Sequence, residues 1–371
     1  MNEGGDNDKL GRGTVWHGQI SPCLHQNHVF AIRPNEDLRP DWLATFTQSE
    51  QARTYFHLNA KQSTNLASIS ATNIMSLSLP LPSVSEQQQI LSYLDHETAR
   101  IDALIAEQER LIELLKEKRQ AVISHAVTKG LDPTTPMRDS GVEWIGAVPK
   151  HWEVKQLKHI IDPATSITYG IVQAGPEVEN GIPYIKTSDM AGDELPLEGY
   201  SRTSPEIDSS YQRSKVSTGD IVIAIRATVG KCLPVPPELE GANLTQGTAK
   251  VSPGVSVIAD YLLLAIRAEA AQAYFGFMSK GATFKEITLD ALRRTPLALP
   301  PLPEQSHIVA QLKSVLDNLE ALISEALKTQ SLLSERRSAL ISAAVTGKID
   351  VRDWKAPASD SPAATLETAY D

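Results

Sequence analysis

The chain repeats itself. One long helical pattern begins at Glu86-Gln87 and a second begins at Glu304-Gln305, an offset of 218 residues between positions 86 and 304. At that one offset, without a gap, Ile90 meets Ile308 and Leu94 meets Leu312. Leu104-Ile105 meets Leu322-Ile323, and Leu114-Leu115 meets Leu332-Leu333. Lys118-Arg119 meets Arg336-Arg337, and Ala126-Val127-Thr128 meets Ala344-Val345-Thr346. A proline-rich step precedes each pattern, at Leu79-Pro80-Leu81-Pro82 and at Leu299-Pro300-Pro301-Leu302-Pro303. A repeat of this length is a duplicated structural unit, and it fixes the organisation before any local reading begins.

With small gaps the repeat extends upstream. Asp41-Trp42-Leu43 matches Asp260-Tyr261-Leu262, and Tyr55-Phe56 matches Tyr274-Phe275. Lys61 and Thr64 match Lys280 and Thr283, while Arg12, Thr14 and Val15 match Arg226, Thr228 and Val229. The second copy continues further, through Asp220, Tyr184 and Trp152 to Ser140. The first copy is therefore expected to lack about seventy-five residues of its opening part.

Residues 86–128 predict a single helix. Ile90, Leu94, Ile101, Ile105, Ile112, Leu115, Val122 and Ala126 recur at three-, four- and seven-residue steps, which keeps them on one face. Ser85 with Gln88 forms an expected capping box, and Gly130 is placed to end the helix. The second helix carries Ile308, Leu312, Val315, Leu319, Leu322, Ala326, Leu333 and Leu340 and ends before Gly347. Each would be about 65 Å long at 1.5 Å per residue. So narrow a stripe needs a partner helix. The expected packing residues are Ile101, Ile105 and Leu115 on the first helix and Leu319, Leu322 and Leu333 on the second. An oligomerising coiled coil would show the same stripe. The attachment of each helix to a repeated globular part favours packing of the two copies on each other.

The expected fold class is α+β: two mixed α/β domains joined by two long antiparallel spacer helices, with a pseudo-twofold internal repeat. The expected boundaries are 1–82 for the later part of a first domain and 83–130 for the central helix. A complete second domain spans 140–301, the distal helix 302–348 and a disordered tail 356–371, rich in Ala, Ser, Thr and Pro. Ile182–Thr187 and Asp220–Arg226 read as strands, and Pro234-Val235-Pro236-Pro237 as a loop. Asp260 is placed to cap a helix running to Phe275, with Leu264, Ala265, Ala268, Ala271 and Phe275 inward.

Composition narrows the chemistry. Lys and Arg number 35 against 45 Asp and Glu, a net charge of −10. A protein that grips nucleic-acid phosphates alone is usually basic. Any DNA reader here needs its cations gathered on one surface, or a partner that supplies grip. The two cysteines, Cys23 and Cys232, form no disulfide framework and fit a reducing cytoplasm. The N-terminus has no signal-like apolar stretch, and the runs Ile221–Ile225 and Tyr261–Ile266 are too short to span a bilayer. A cytoplasmic protein without membrane contact is expected.

No catalytic constellation is present. Gly181 to Lys186-Thr187 only faintly resembles a phosphate loop, because the second glycine is missing and the spacing is one residue short. Cys23, His25 and His28 suggest a metal, but the matching stretch Asn243–Thr248 carries no such ligands, so no metal site is expected. What is left is a set of polar residues in expected loops and strand ends: Thr168-Tyr169-Gly170, Lys186-Thr187-Ser188, Arg226-Ala227-Thr228, Asn243, Gln246 and Lys280. Arg and Lys suit phosphates or guanine edges, Asn and Gln suit adenine, and Thr and Ser suit either. Tyr169, Lys186, Thr187, Arg226, Thr228, Gln246 and Lys280 are the candidate DNA-contacting residues.

The spacer motif carries a resemblance. The proline-rich step, Glu86-Gln87, Ile90, Leu94-Asp95 and the ending Arg119-Gln120-Ala121-Val122-Ile123-Ser124-His125-Ala126-Val127-Thr128 resemble the spacer of type I restriction-modification specificity subunits. The motif recurs over Glu304–Thr346, and Ser140–Trp152 resembles the lead-in to that family's second recognition domain. The resemblance implies a non-catalytic subunit with two target-recognition domains, each reading half of a split site in double-stranded DNA. It implies methyltransferase (modification) subunits docked on the spacers and a motor-nuclease (restriction) subunit. S-adenosylmethionine, ATP and Mg are then expected on those partners, and this chain is expected to bind no cofactor. The shortened first domain departs from the pattern. It puts reading of the first half-site in doubt and leaves room for self-association, in which paired second domains would read a symmetric site.

Overall fold

The computed structural model describes residues 1, 4–5, 10–63, 66–281 and 285–356. Thr64, Thr283 and the tail beyond residue 356 lie outside the described residues. The chain divides into two compact units, Met1–Glu113 with Ser324–Asp371, and Leu114–Ile323. The division does not follow the expected sequential boundaries, because it cuts through both long helices.

In the first unit, β1 (Gly4–Gly5), β2 (Lys61–Ser63) and β3 (Leu66–Ser68) form a small antiparallel sheet in the order β1-β3-β2. Helices α1 (Pro40–Phe46), α2 (Glu50–Asn59) and α3 (Ala71–Met75) pack around Trp42 and Phe56, both essentially sealed from solvent. The long helix α4 (Val84–Lys129) begins here and adds Ile90, Leu91 and Leu94 to the same core.

The second unit holds a two-stranded pair, β4 (Met137–Asp139) with β5 (Ala147–Pro149). Strands β6 (Glu153–Gln156), β7 (Thr168–Tyr169), β8 (Ile182–Ile185) and β9 (Arg202–Thr203) precede the short helix α5 (Pro205–Ser209). Then come β10 (Ile221–Ala224), β11 (Cys232–Pro234), β12 (Asn243–Leu244) and β13 (Thr248–Val251). Helices α6 (Ala259–Arg267), α7 (Glu269–Met278) and α8 (Leu289–Arg293), strand β14 (Pro296–Leu299) and the second long helix α9 (Leu302–Val345) complete the order. An antiparallel sheet runs β11-β10-β13-β7, a second sheet runs β12-β8-β9, and β14 pairs with β6. β10 is buried at every residue, which accounts for its unbroken run of Ile, Val, Ile and Ala.

The repeated Glu-Gln motif has a structural meaning. Gln87 is fully buried; its Nε2 donates to the carbonyls of Asp37 (2.7 Å) and Pro82 (2.9 Å), and its Oε1 accepts from the Arg39 amide (2.9 Å). Gln305 does the same in the other unit, donating to Ser256 (3.0 Å) and Pro300 (2.8 Å) and accepting from the Ile258 amide (2.8 Å). Each glutamine satisfies three backbone groups at once, so it fastens the start of a long helix to its globular part.

A second fastening uses the other copy's helix. Ser342 of α9 accepts from the Glu50 amide at the start of α2, and Ser124 of α4 accepts from the Glu269 amide at the start of α7, both at 2.9 Å. Each answers an amide that helix geometry leaves unpaired. This explains why α6 and α7 are two helices where one running from Asp260 to Phe275 was expected. Ala268 is extended (φ −64, ψ 151), and the Glu269 amide is taken by Ser124 instead of continuing a ladder. The inward set of Leu264, Ala265, Ala268, Ala271 and Phe275 is buried as expected. Ser124→Ala is expected to cost about 1 kcal/mol, measured as a lower urea midpoint. An unchanged midpoint would mean that water replaces the serine at no cost.

Within each unit the long helices run antiparallel. In the first, Arg337 grips Asp102 through two contacts (2.7 and 3.1 Å), and one helical heptad further on Gln330 donates to Glu109 (2.9 Å). In the second, Arg119 pairs with Glu320 (3.5 Å). Ile101, Leu115 and Leu319 are buried, and Ile105 and Leu333 are half-buried. Leu322 is the exception among the expected packing residues: it is 55% exposed, and its neighbour Ile323 is buried at 5%. The three-residue step into Leu319 must be followed by a four-residue step to stay on the seam, which selects Ile323. The cap also differs, since α4 starts two residues earlier and Ser83, not Ser85, accepts from the Glu86 amide. Gly130 ends α4 at φ +78.

Candidate nucleic-acid interface

The second unit brings its polar strand ends to one rim. Ala224 at the end of β10 lies opposite Thr248 at the start of β13, and Ile223 lies opposite Cys232 at the start of β11. Leu244 at the end of β12 lies opposite Ile185 at the end of β8, and Tyr169 at the end of β7 lies opposite Ala249. The segments at 169–171, 185–188, 225–231 and 245–247 therefore leave the sheets at the same end.

Close backbone approach welds these segments. Ile171 and Gln246 bond across to Leu244 and Ile171 carbonyls (2.7 and 3.1 Å). A Cβ at Gly170 would overlap the Leu244 carbonyl, so glycine is required there. Thr187 donates its hydroxyl to the Gly247 carbonyl (3.3 Å), and the Ile225 amide donates to the same carbonyl (2.9 Å). The turn that follows is strained, with Ala227 at φ +60. A further segment joins it: Lys280 and Glu286 exchange both backbone hydrogen bonds (2.9 Å each), while the Ala227 amide donates to Lys285 and the Ile287 amide to Ile225 (3.0 Å each).

All seven candidate residues fall on this rim. Tyr169, Thr228 and Lys280 are exposed; Lys186, Thr187, Arg226 and Gln246 are half-buried. Lys186 donates to the Ser201 hydroxyl (2.8 Å) and sits near the face of Tyr184. Arg226 pairs with Glu286 (3.1 Å), a carboxylate that sequence reading did not single out. Lys285 and Lys231 are further rim cations that residue type and loop position did not single out, the latter bound to Asp193 (3.3 Å). That hydrogen bond holds the Asp193 carboxyl below its usual range. Behind the rim, burial and then the nearby Asp189 charge push the Tyr200 phenol up to about 12, so it stays a neutral donor to the Pro196 carbonyl.

Asn243 is not a reader of bases. It is completely buried, donates to Asp208 (2.9 Å) and Tyr211 (3.3 Å), and accepts from Ser214 (2.6 Å) and from the Leu244 amide (2.8 Å). Its donors and acceptors are spent inside the fold. The Gly181–Thr187 stretch is the strand β8 followed by a turn, not a phosphate loop. Cys23 is exposed, and among the described residues no group of three His, Cys, Asp or Glu gathers to hold a metal.

The rim concentrates Lys186, Arg226, Lys231, Lys280 and Lys285 on an otherwise acidic chain, in a setting of amide, hydroxyl and aromatic groups. The sequence matches the family described as type I restriction modification DNA specificity domain over residues 17–114 and 149–329, most of its length. The chain belongs to that family. Each matched stretch takes in one globular part and the opening of the long helix after it, so the family is read twice along the chain. The specificity subunit of the type I restriction enzyme EcoBI from Escherichia coli is 27% identical over 379 residues, covering 95% of this chain and 76% of that subunit. The StySPI specificity subunit from Salmonella potsdam is 24% identical over 353 residues, covering 91% and 72%. A solved chain from work on complex assembly and conformational transition of the type I R-M system shares the fold, with a TM-score of 0.66 at 21% identity over 86% of this chain and 74% of that one. This type I specificity subunit is a recognition component, not a catalytic one.

Proposed function

We propose that the rim of the second unit reads one half of a split DNA site and that the chain delivers this address to the catalytic subunits of a type I complex. The observation that supports this most strongly is the convergence of Tyr169, Lys186, Thr187, Arg226, Thr228, Gln246 and Lys280 at one end of the sheets. Cations at the edges serve phosphates, and the amide, hydroxyl and guanidinium groups between them serve base edges. Methyltransferase subunits bring S-adenosylmethionine and methylate adenine; a motor-nuclease subunit brings ATP and Mg and cleaves. The protein works in the cytoplasm, and no helix among the described residues is long and apolar enough to cross a membrane. Partner subunits that clamp the duplex offset the acidic balance of this chain.

Base-resolution mapping of adenine methylation in the host, with the gene present and deleted, tests the reading. Loss of a split motif on deletion is the expected result. Unchanged methylation beside an active methyltransferase subunit would overturn it, and a symmetric motif would report paired copies of the second unit. Within the rim, Arg226→Ala is expected to weaken binding to the mapped motif by about tenfold to a hundredfold, the size of one good base contact, without disturbing subunit assembly. Unchanged affinity and motif would remove Arg226 from the interface.

A further inference from the structure

We propose that Glu286 is a positioning residue that reserves Arg226 for a base edge and denies it to the DNA backbone. The inference rests on the reading of the rim as the DNA-contacting surface. Three observations carry it. Arg226 Nη2 donates to Glu286 Oε1 at 3.1 Å, with both side chains close to half exposed. The pairing is built in by the backbone, because residues 225–227 and 285–287 are hydrogen-bonded neighbours. Arg226 Nε is buried and finds no partner, so the guanidinium is held with one edge against the protein and its terminal nitrogens at the surface.

The chemistry of the two DNA acceptors decides what such an arginine can do. A phosphate is an anion. Approaching Arg226 it meets the Glu286 carboxylate beside it and is repelled. The guanine edge offers N7 and O6, which are neutral acceptors, and pays no such repulsion. A free arginine on this rim would bind any phosphate and add affinity without discrimination. The same arginine beside a fixed carboxylate loses that option and keeps its remaining donors for a base. Lys280 and Lys285, which flank Glu286 on the same segment, supply the phosphate contacts.

The test uses the full chain assembled with its methyltransferase subunit. The probes are a duplex carrying the motif mapped in the host and a scrambled duplex of equal length. Glu286→Gln keeps the shape and removes the charge. It is expected to tighten binding to the scrambled duplex by about fivefold, the upper range for one exposed charge pair. It is also expected to steepen the salt dependence on that duplex by about 0.9, one extra phosphate contact. Discrimination between the duplexes then falls, a change that a merely structural role for Glu286 would not produce. In the double variant with Arg226→Ala, both gains are expected to vanish. Gains that persist without Arg226 would overturn the proposal, since the carboxylate would then act as a general repulsive charge. No gain in Glu286→Gln, with Arg226→Ala still impairing motif binding, would overturn it too while leaving the DNA-reading rim intact. If Arg226→Ala has no effect on either duplex, Arg226 lies outside the interface and the proposal is overturned, while the methylation map alone decides the reading of the rim.

Discussion

Gln305→Leu is expected to cost about 3–5 kcal/mol of folding free energy, because it takes three backbone groups' partner away at once from a fully buried position. The leucine fills nearly the same space, so the loss reports hydrogen bonding and not a cavity. The Ile258 amide and the Ser256 and Pro300 carbonyls are all satisfied by this one fully buried side chain, and the Pro300 bond is itself buried. That cost is a large part of the margin of an ordinary domain. Denaturant unfolding measures it. Gln87→Leu is expected to act alike on the first unit, where the same three kinds of bond are made to Arg39, Asp37 and Pro82. A loss below about 1 kcal/mol in both variants would show that the repeated glutamine is not what fastens the helices.

The second large effect lies on the helix seam. Leu115 is 9% exposed, so Leu115→Asp places a carboxylate on a seam that is largely closed to water. The expected cost is about 3–5 kcal/mol, with loss of co-purification with the methyltransferase subunit proposed as its partner. Leu322→Asp is the control, because that leucine already faces solvent and its replacement is expected to change stability by about 0.5 kcal/mol at most. Equal effects at the two positions would contradict the seam described here.

The two leucines also show what the sequence could and could not tell. The duplicated stripe was legible because heptad spacing and a fixed offset are properties of the chain alone. At Leu322-Ile323 the spacing is ambiguous, since two adjacent apolar residues fit three- and four-residue steps equally well, and only packing selects Ile323. The break at Ala268 was invisible because its cause, the Ser124 hydroxyl, lies far away in the chain. Asn243 stands in the wider polar set on residue type and not among the seven candidates; its burial depends on Asp208, Tyr211 and Ser214, which nothing local announces. The residues that meet at the rim were named by type and by loop position, whereas Glu286 was not, because a carboxylate on a surface proposed to read DNA makes sense only once its arginine is seen beside it.

The exchange of helix ends between copies has a consequence for how the molecule is made. The second unit is one continuous stretch, Leu114–Ile323. The first unit is not: its helix α2 waits for Ser342, and Gln89 of α4 waits for the carbonyls of Val351 and Trp354. On a ribosome, the segment that emerges first is thus the last to be finished. Until residues beyond 340 arrive, Ile90, Leu91 and Leu94 lack the cover of Ile341, Ala344 and Val345, with which they share a core. The nascent first unit depends on the rate at which the far end of its own message is read.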